Sequence, residues 1–328
     1  MRATVLGAGS WGTALAHLLA GKGLEVMLLA RDAAVVESVN KGENPRYLPG
    51  LALEPGLRAS RDPAQALAGT DMVLLAAPCQ HMRDALAPIA DLVPGHATVV
   101  CASKGIELGS LKRMSAVVCD MLPEQAARYA ILSGPSFARE VVQGKPSAVV
   151  MGCLDPALGE NLRQVFSTEN FRVYSSIDVA GVELGGAVKN VIAIAAGLCD
   201  GLGLGHNARA ALITRGLAEM SRLGVALGAR PSTFMGLSGL GDLALTCTGD
   251  LSRNRQVGLR LAAGDSLADI TSSMHMVAEG VKTTRAVCVL AEKLHVDLPI
   301  AEAVSRVLDG AAPLKAVHEL MTRDLREE

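Results

Sequence analysis

The sequence predicts an α/β first half, a mainly parallel sheet wrapped by helices, followed by an all-helical second half. Three observations carry this. Short apolar runs at residues 3–6, 25–30, 72–77, 97–101, 129–132, 147–151 and 172–174 read as strands, continuous rather than alternating, as in sheets covered on both faces. Helical patterns at 12–20, 82–92, 111–121 and 157–166 fall between them, an alternation that builds parallel sheets. After Asp178 the strand-like runs cease and long helical patterns take over at 182–202, 208–226, 253–263, 282–294 and 301–308. The 328 residues exceed one ordinary domain, and the expected division is 1–178 and 179–328.

Composition narrows the function classes. Half of the residues are hydrophobic, yet aromatics amount to one Trp, three Tyr and four Phe, too few for a platform that stacks single-stranded nucleic acid. With 31 basic against 33 acidic residues there is no polyanion-seeking field, so no nucleic-acid partner is expected. The seven cysteines are widely spaced and form no CxxC pair, as expected of small buried hydrophobes in a reducing compartment. The histidines show no ligand spacing, and no metal is expected. MRATVLGAGS enters a strand at once, leaving no room for a signal peptide, and the apolar stretches are interrupted by Asp71 and Lys189. These features predict a cytoplasmic protein without membrane insertion.

The first element justifies a Rossmann-like assignment. Gly7-Ala8-Gly9-Ser10-Trp11-Gly12 is a GxGxxG turn between an apolar run and a helical one. Gly7 permits the tight turn, Gly9 lets backbone approach a pyrophosphate, and Gly12 lets helix pack on strand, with the helix N-terminus facing phosphate charge. A plain structural turn is the bland alternative. The second strand ends in Arg31, followed by Asp32. An arginine there can pair with a 2′-phosphate, favouring NADP and leaving NAD open, while Asp32 caps the next helix. A solvated Arg31 is the other reading.

Lys104, in Cys101-Ala102-Ser103-Lys104-Gly105, lies beyond the carboxyl end of a strand, where ligands bind in open α/β sheets. An exposed loop lysine fits the position equally. Ser133-Gly134-Pro135-Ser136 follows another strand, as a ligand loop or a simple turn. In Val182-Glu183-Leu184-Gly185-Gly186-Ala187-Val188-Lys189, the lysine shares a helical face with Val182, Gly185, Gly186, Ala193 and Ala196. Its side chain leans back over the two glycines, whose missing side chains predict space for a ligand. Two glycines cost a helix ~2 kcal/mol relative to alanine, so some close approach is expected in return. Burial would lower the lysine pKa and suit it to proton transfer, whereas a snorkelling lysine would do nothing chemical. This stretch alone leaves both readings open. Gly239-Leu240-Gly241-Asp242-Leu243 is dense in turn residues, and Ser252 reads as an N-cap whose helix start, with Arg253 and Asn254, offers a phosphate site or an ordinary capped helix.

Taken together, these stretches resemble the NAD(P)-dependent glycerol-3-phosphate dehydrogenases of the bacterial type. The likeness extends over GAGSWG (7–12), CASKGIE (101–107), SGPSFAREV (133–141), GAVKNVIAIAAG (186–197), GLGDLALTCTG (239–249), LSRNR (251–255) and VAEGVKTT (277–284), in the family's order, with GAVKNVIAIAAG the most specific. The resemblance implies Lys189 as general acid/base, and Lys104, Gly134, Ser136, Asn190, Asp242, Ser252, Arg253 and Asn254 around the substrate. It implies cofactor contacts at Ser10, Trp11, Arg31, Tyr47, Lys104, Ala138, Arg253, Val277 and Glu279, beside the glycines of the loop. Ser136 stands where some relatives have Thr, keeping the hydroxyl. The implied reaction is reversible hydride transfer between NAD(P)H and dihydroxyacetone phosphate, giving sn-glycerol 3-phosphate for glycerophospholipid synthesis. A homodimer is implied as well. Two other readings fit parts of the sequence. A β-hydroxyacid or 2-hydroxyacid dehydrogenase shares the plan but takes a carboxylate. A dinucleotide-sensing module needs GAGSWG but has no use for Lys189, Asp242 and the 252–254 cluster together.

Overall fold

The computed structural model describes residues 1–274 and 278–323. Among them, eight strands form one sheet: β1 (Arg2–Leu6), β2 (Glu25–Leu29), β3 (Arg58–Ser60), β4 (Met72–Leu75), β5 (Thr98–Cys101), β6 (Tyr129–Ser133), β7 (Ser147–Cys153) and β8 (Phe171–Ser176). Their spatial order is β3-β2-β1-β4-β5-β6-β7-β8, parallel throughout except that β7 runs antiparallel to β6. The order reverses between β1 and β4, so the connections diverge there and leave a crevice at the carboxyl ends.

The mainly parallel sheet expected from the apolar runs is present, with two features the runs did not carry. The edge strand β3 is only Arg-Ala-Ser; it has no apolar run, and its pairing with Met27–Leu29 of β2 makes it a strand. The direction of β7 depends on its partner, because an apolar run reads the same both ways. Two expected helices are shorter than their patterns. The 82–92 pattern divides into an α-helix, Met82–Leu86, and a 3₁₀ turn, Ala87–Leu92, where Pro88 supplies no N–H. The 111–121 pattern starts only at Met114, after a left-handed Leu111 (φ 59°).

Leu15, Leu19, Phe166 and Phe171 fill one face of the sheet, and Met82, Leu86, Val117 and Val118 the other. Val179 and Val182 join the second face, so the helix Val179–Gly201 begins on the sheet and runs on into the helical half. Asp178 fixes its start: one carboxylate oxygen accepts from Gly181 N at 2.9 Å, the other from Arg230 N at 2.9 Å and Thr233 Oγ1 at 2.6 Å. Every residue from Gly181 to Cys199 is buried, as an all-round apolar helix demands. Its length and composition would suffice to cross a membrane, but its apolar window lies wholly inside the protein; it is a core helix.

Around it pack Gly205–Ala226, Arg253–Ala262 and Glu279–Leu294. Glycine sets the closest approach. A Cβ on Gly197 would stand 2.0 Å from the Arg255 carbonyl oxygen, and one on Gly258 2.1 Å from that of Ile194. Backbone therefore meets backbone where helices 179–201 and 253–262 cross.

Candidate active site

The glycine loop has the geometry that its sequence predicts. Gly7 follows β1 with φ +113°, and a Cβ there would lie 2.9 Å from the Ala76 backbone at the end of β4. Gly12 lies against Gly7 itself, where a Cβ would stand 2.0 Å from the Gly7 carbonyl. Gly9, the residue before helix Ser10–Gly21, has nothing within 4 Å of its would-be Cβ. Two glycines are thus closed by protein and the middle one opens to space at a helix N-terminus. Close by, Trp11 Nε1 is buried without a hydrogen-bond partner. An open backbone cradle with an unsatisfied donor fits a dinucleotide pyrophosphate.

Beyond β2, Arg31 is exposed, and Asp32 caps helix Ala33–Asn40 by accepting from Ala34 N at 2.9 Å. The second oxygen of Asp32 is held by Arg46, whose guanidinium lies 5.5 Å from the centre of the Tyr47 ring. The Tyr47 carbonyl accepts from Ser10 Oγ at 3.0 Å, so the end of β2 and the glycine loop share one edge of the crevice.

The two lysines converge on one carboxylate from opposite halves of the chain. Lys104, three residues past β5, donates to Asp242 Oδ2 at 2.6 Å and to the Gly134 carbonyl at 3.2 Å. Lys189 donates to Asp242 Oδ1 and to Thr246 Oγ1, the latter at 2.8 Å. Asp242 is 1% exposed and Lys189 6%, so the ion pairs are largely screened from solvent. Burial, reinforced by the Lys104 charge, pulls Lys189 down to about 8, against the opposing effect of Asp242. Burial alone would raise Asp242, but the two ammonium groups outweigh it and hold it below the usual carboxylate range. An ammonium has three N–H donors; Asp242 and Thr246 take two of those on Lys189 and leave one for a ligand.

The space expected under Lys189 is a correction. A Cβ on Gly185 would stand 2.4 Å from the Ser238 carbonyl oxygen; one on Gly186 would stand 2.6 Å from Ser133 Oγ and 3.3 Å from Lys104 Cγ. Protein fills both positions. The glycines bring the 237–241 backbone and the Lys104 stem against the helix, and so bring Asp242 and Lys104 within reach of Lys189. The cost of two helical glycines is offset by assembling the site rather than by leaving a void.

The other expected residues group around this cluster. Ser136 Oγ donates to the Gly134 carbonyl at 3.0 Å, and Ala138 opens the short helix Ala138–Val142. Ser252 caps helix Arg253–Ala262 by accepting from Arg255 N at 3.2 Å. Asn254 donates to Asn190 Oδ1 at 2.9 Å and accepts from Gly280 N at 3.0 Å, tying three helices together beside Lys189. Arg253 is exposed at the start of its helix. Glu279 accepts from Cys79 N at 3.1 Å, joining the last of these helices to the loop that follows β4. Burial pushes Glu279 above its usual range while the charges of Arg253, Lys104 and Lys189 pull it back, which puts all four groups in one field. Val277 lies outside the described residues. Thr246, unremarked in the sequence, sits one helical turn after Asp242; its hydroxyl donates to the Asp242 carbonyl at 2.6 Å while accepting from Lys189. The i, i+4 spacing within GLGDLALTCTG was the available signal. No group of three or more His, Cys, Asp or Glu placed to hold a metal occurs among the described residues.

Comparison with known proteins places the chain in a family. The profile of the NAD-dependent glycerol-3-phosphate dehydrogenase N-terminus matches residues 2–159, and that of its C-terminus matches 178–319. A glycerol-3-phosphate dehydrogenase [NAD(P)+] from Nitratidesulfovibrio vulgaris (strain Hildenborough) is 64% identical over the whole of both chains. One from Geobacter sulfurreducens is 54% identical, covering all of this chain and 98% of its own. The solved glycerol-3-phosphate dehydrogenase of Coxiella burnetii superposes with a TM-score of 0.93 at 39% identity, over 98% of this chain and 99% of that one. The chain belongs to the NAD-dependent glycerol-3-phosphate dehydrogenase family.

Proposed function

We propose that this protein is a glycerol-3-phosphate dehydrogenase that reduces dihydroxyacetone phosphate to sn-glycerol 3-phosphate, reversibly, with Lys189 as general acid/base. The observation that carries the reading is the buried Lys104–Asp242–Lys189 cluster beyond the carboxyl ends of β5 and β6. When bound, the reduced nicotinamide supplies a hydride to the carbonyl carbon. Lys189 then supplies the proton for the carbonyl oxygen through its remaining N–H, and takes it back in the oxidation direction. Asp242 and Thr246 hold the ammonium in place, and Lys104 adds a second positive charge that polarises the carbonyl in a water-poor site. Asn190, Gly134 and Ser136 line the substrate, and Ser252, Arg253 and Asn254 present donors at a helix N-terminus to its phosphate. Gly7, Gly9, Ser10, Trp11, Gly12, Arg31, Tyr47, Lys104, Ala138, Arg253, Val277 and Glu279 serve the dinucleotide, with Arg31 favouring NADPH over NADH.

We divide the chain at 178/179, into a dinucleotide-binding unit and a helical substrate-binding unit. β8 ends at Ser176 and Asp178 caps the first helix beyond it. On the family resemblance we extend the reading to a cytoplasmic homodimer that feeds glycerophospholipid synthesis.

Steady-state assays of dihydroxyacetone phosphate with NADPH and with NADH, beside a panel of 2-oxo acids, test the reading. Turnover of the phosphorylated ketone alone is expected, abolished by Lys189→Ala while NADPH still binds. Activity on the oxo acids instead, or more than about a tenth of the wild-type rate in Lys189→Ala, would overturn it.

A further inference from the structure

Arg255 is the one charged residue of the LSRNR stretch not yet accounted for. It lies on the first turn of helix 253–262, two residues past Arg253, but it faces away from the lysine cluster toward the far end of helix 179–201. Its Nε and Nη2 both reach Asp200 Oδ2, at 2.9 and 2.7 Å, and its Nη1 reaches Asp250 Oδ1 at 3.1 Å. The other oxygen of Asp200 accepts from Arg209 Nη1 at 3.1 Å. The two arms differ in weight. Asp250 is 93% exposed, so that pair is screened and weak, whereas the Arg255 and Asp200 side chains are 12% and 14% exposed. The Asp200 arm therefore anchors the turn.

The same turn is fixed at two further points. The Arg255 main chain lies directly on Gly197, with no room for a Cβ, and its N–H is the one that Ser252 caps. Asn254 is tied to Asn190, one residue from Lys189. A two-donor guanidinium bridge, a backbone contact and a side-chain amide bond thus define how the 252–254 donors face the lysine cluster, and the guanidinium bridge can be removed without replacing any of those donors or crowding the helix crossing.

We propose that Arg255, held by Asp200, is a positioning residue that aims Ser252, Arg253 and Asn254 at the phosphate of the substrate. The proposal rests on the reading of those residues as the phosphate site. Arg255 touches neither substrate nor cofactor. It supplies orientation, which converts the phosphate's binding energy into correct placement of the carbonyl.

Kinetics of Arg255→Gln and Asp200→Asn, each in the full-length chain, test it. KM for dihydroxyacetone phosphate is expected to rise roughly tenfold in both, with kcat within about twofold of wild type. The kcat/KM for unphosphorylated dihydroxyacetone is expected to stay unchanged, because that substrate never uses the phosphate site. The double variant should be no worse than either single one, since both remove the same bridge. Asp200→Asn keeps the test decisive if Arg255→Gln does not fold. Equal losses on the phosphorylated and unphosphorylated ketones, or additive effects in the double variant, overturn the proposal. A wild-type enzyme that ignores dihydroxyacetone phosphate would instead overturn the reading beneath it.

Discussion

Replacing Asp242 by Asn removes one charge from the centre of the site while nearly preserving its shape. The carboxylate is 1% exposed and takes both Lys104 and Lys189. Without it two ammonium groups face each other across a neutral amide. Leaving buried charges uncompensated in this way costs about 3 kcal/mol or more. The variant relieves that cost by releasing the Lys189 proton, because burial and the Lys104 charge already draw it down and the one opposing group is gone. Reduction needs Lys189 protonated, so its rate is full below the lysine pKa and falls as pH rises through it; oxidation runs the opposite way. The wild type should lose reductive kcat/KM with an inflection near 8. At pH 7 such an acid is about nine-tenths protonated, and lowering its pKa by one pH unit, equivalent to about 1.4 kcal/mol, leaves about half. For Asp242→Asn we expect the alkaline limb to move down by at least about one pH unit, on top of a loss of rate from lost positioning. The stability loss should be greater at pH 6 than at pH 9, where Lys189 is neutral. Reductive pH profiles from 5.5 to 10, with urea unfolding at both ends, are the measurements. An unmoved limb would refute the electrostatic account of the cluster.

Arg31→Asp should shift cofactor preference from NADPH toward NADH, read as the ratio of their kcat/KM values; an unchanged ratio would make Arg31 a surface charge only. In Gly197→Ala the helix-propensity gain of about 1 kcal/mol is outweighed by a methyl placed 2.0 Å from the Arg255 carbonyl oxygen, so a net loss of about 1–3 kcal/mol is expected in urea unfolding. A variant at least as stable as wild type would show that the helix crossing is loose. Glu219 accepts from Ile300 N at 2.7 Å and Ala301 N at 3.2 Å, and burial raises its pKa to about 7 from 4.5. The folded state then holds the proton more tightly than the unfolded chain, so this group's stabilisation is full below pH 4.5 and is lost as pH rises through 7. Glu219→Gln should remove at most about 3 kcal/mol of pH-dependent loss from the unfolding curve across that window. Parallel curves for the two proteins would contradict the shift.

The sequence by itself determined the layout of this protein. Period, composition and glycine spacing are local, and local rules suffice for a strand–GxGxxG–helix start, for Asp32 and Ser252 as caps, and for the change from strands to helices after Asp178. It also marked Lys104, Lys189 and Asp242 as separate points of interest, and the family resemblance joined them. Position in the chain could not show that they touch, because Lys104 and Asp242 are 138 residues apart and meet at 2.6 Å only when helix 179–201 seats on the sheet. The glycines show the difference most plainly. Seen as residues without side chains, Gly185 and Gly186 mark absence, and a void is the natural inference. The fold places the Ser238 carbonyl and the Lys104 stem there, which is what brings the second lysine to the first. The three-residue β3, the reversed β7 and the role of Thr246 were decided in the same way, by what packs against them. Local chemistry named the parts; only tertiary packing set their distances, and with them the burial that lowers the Lys189 pKa.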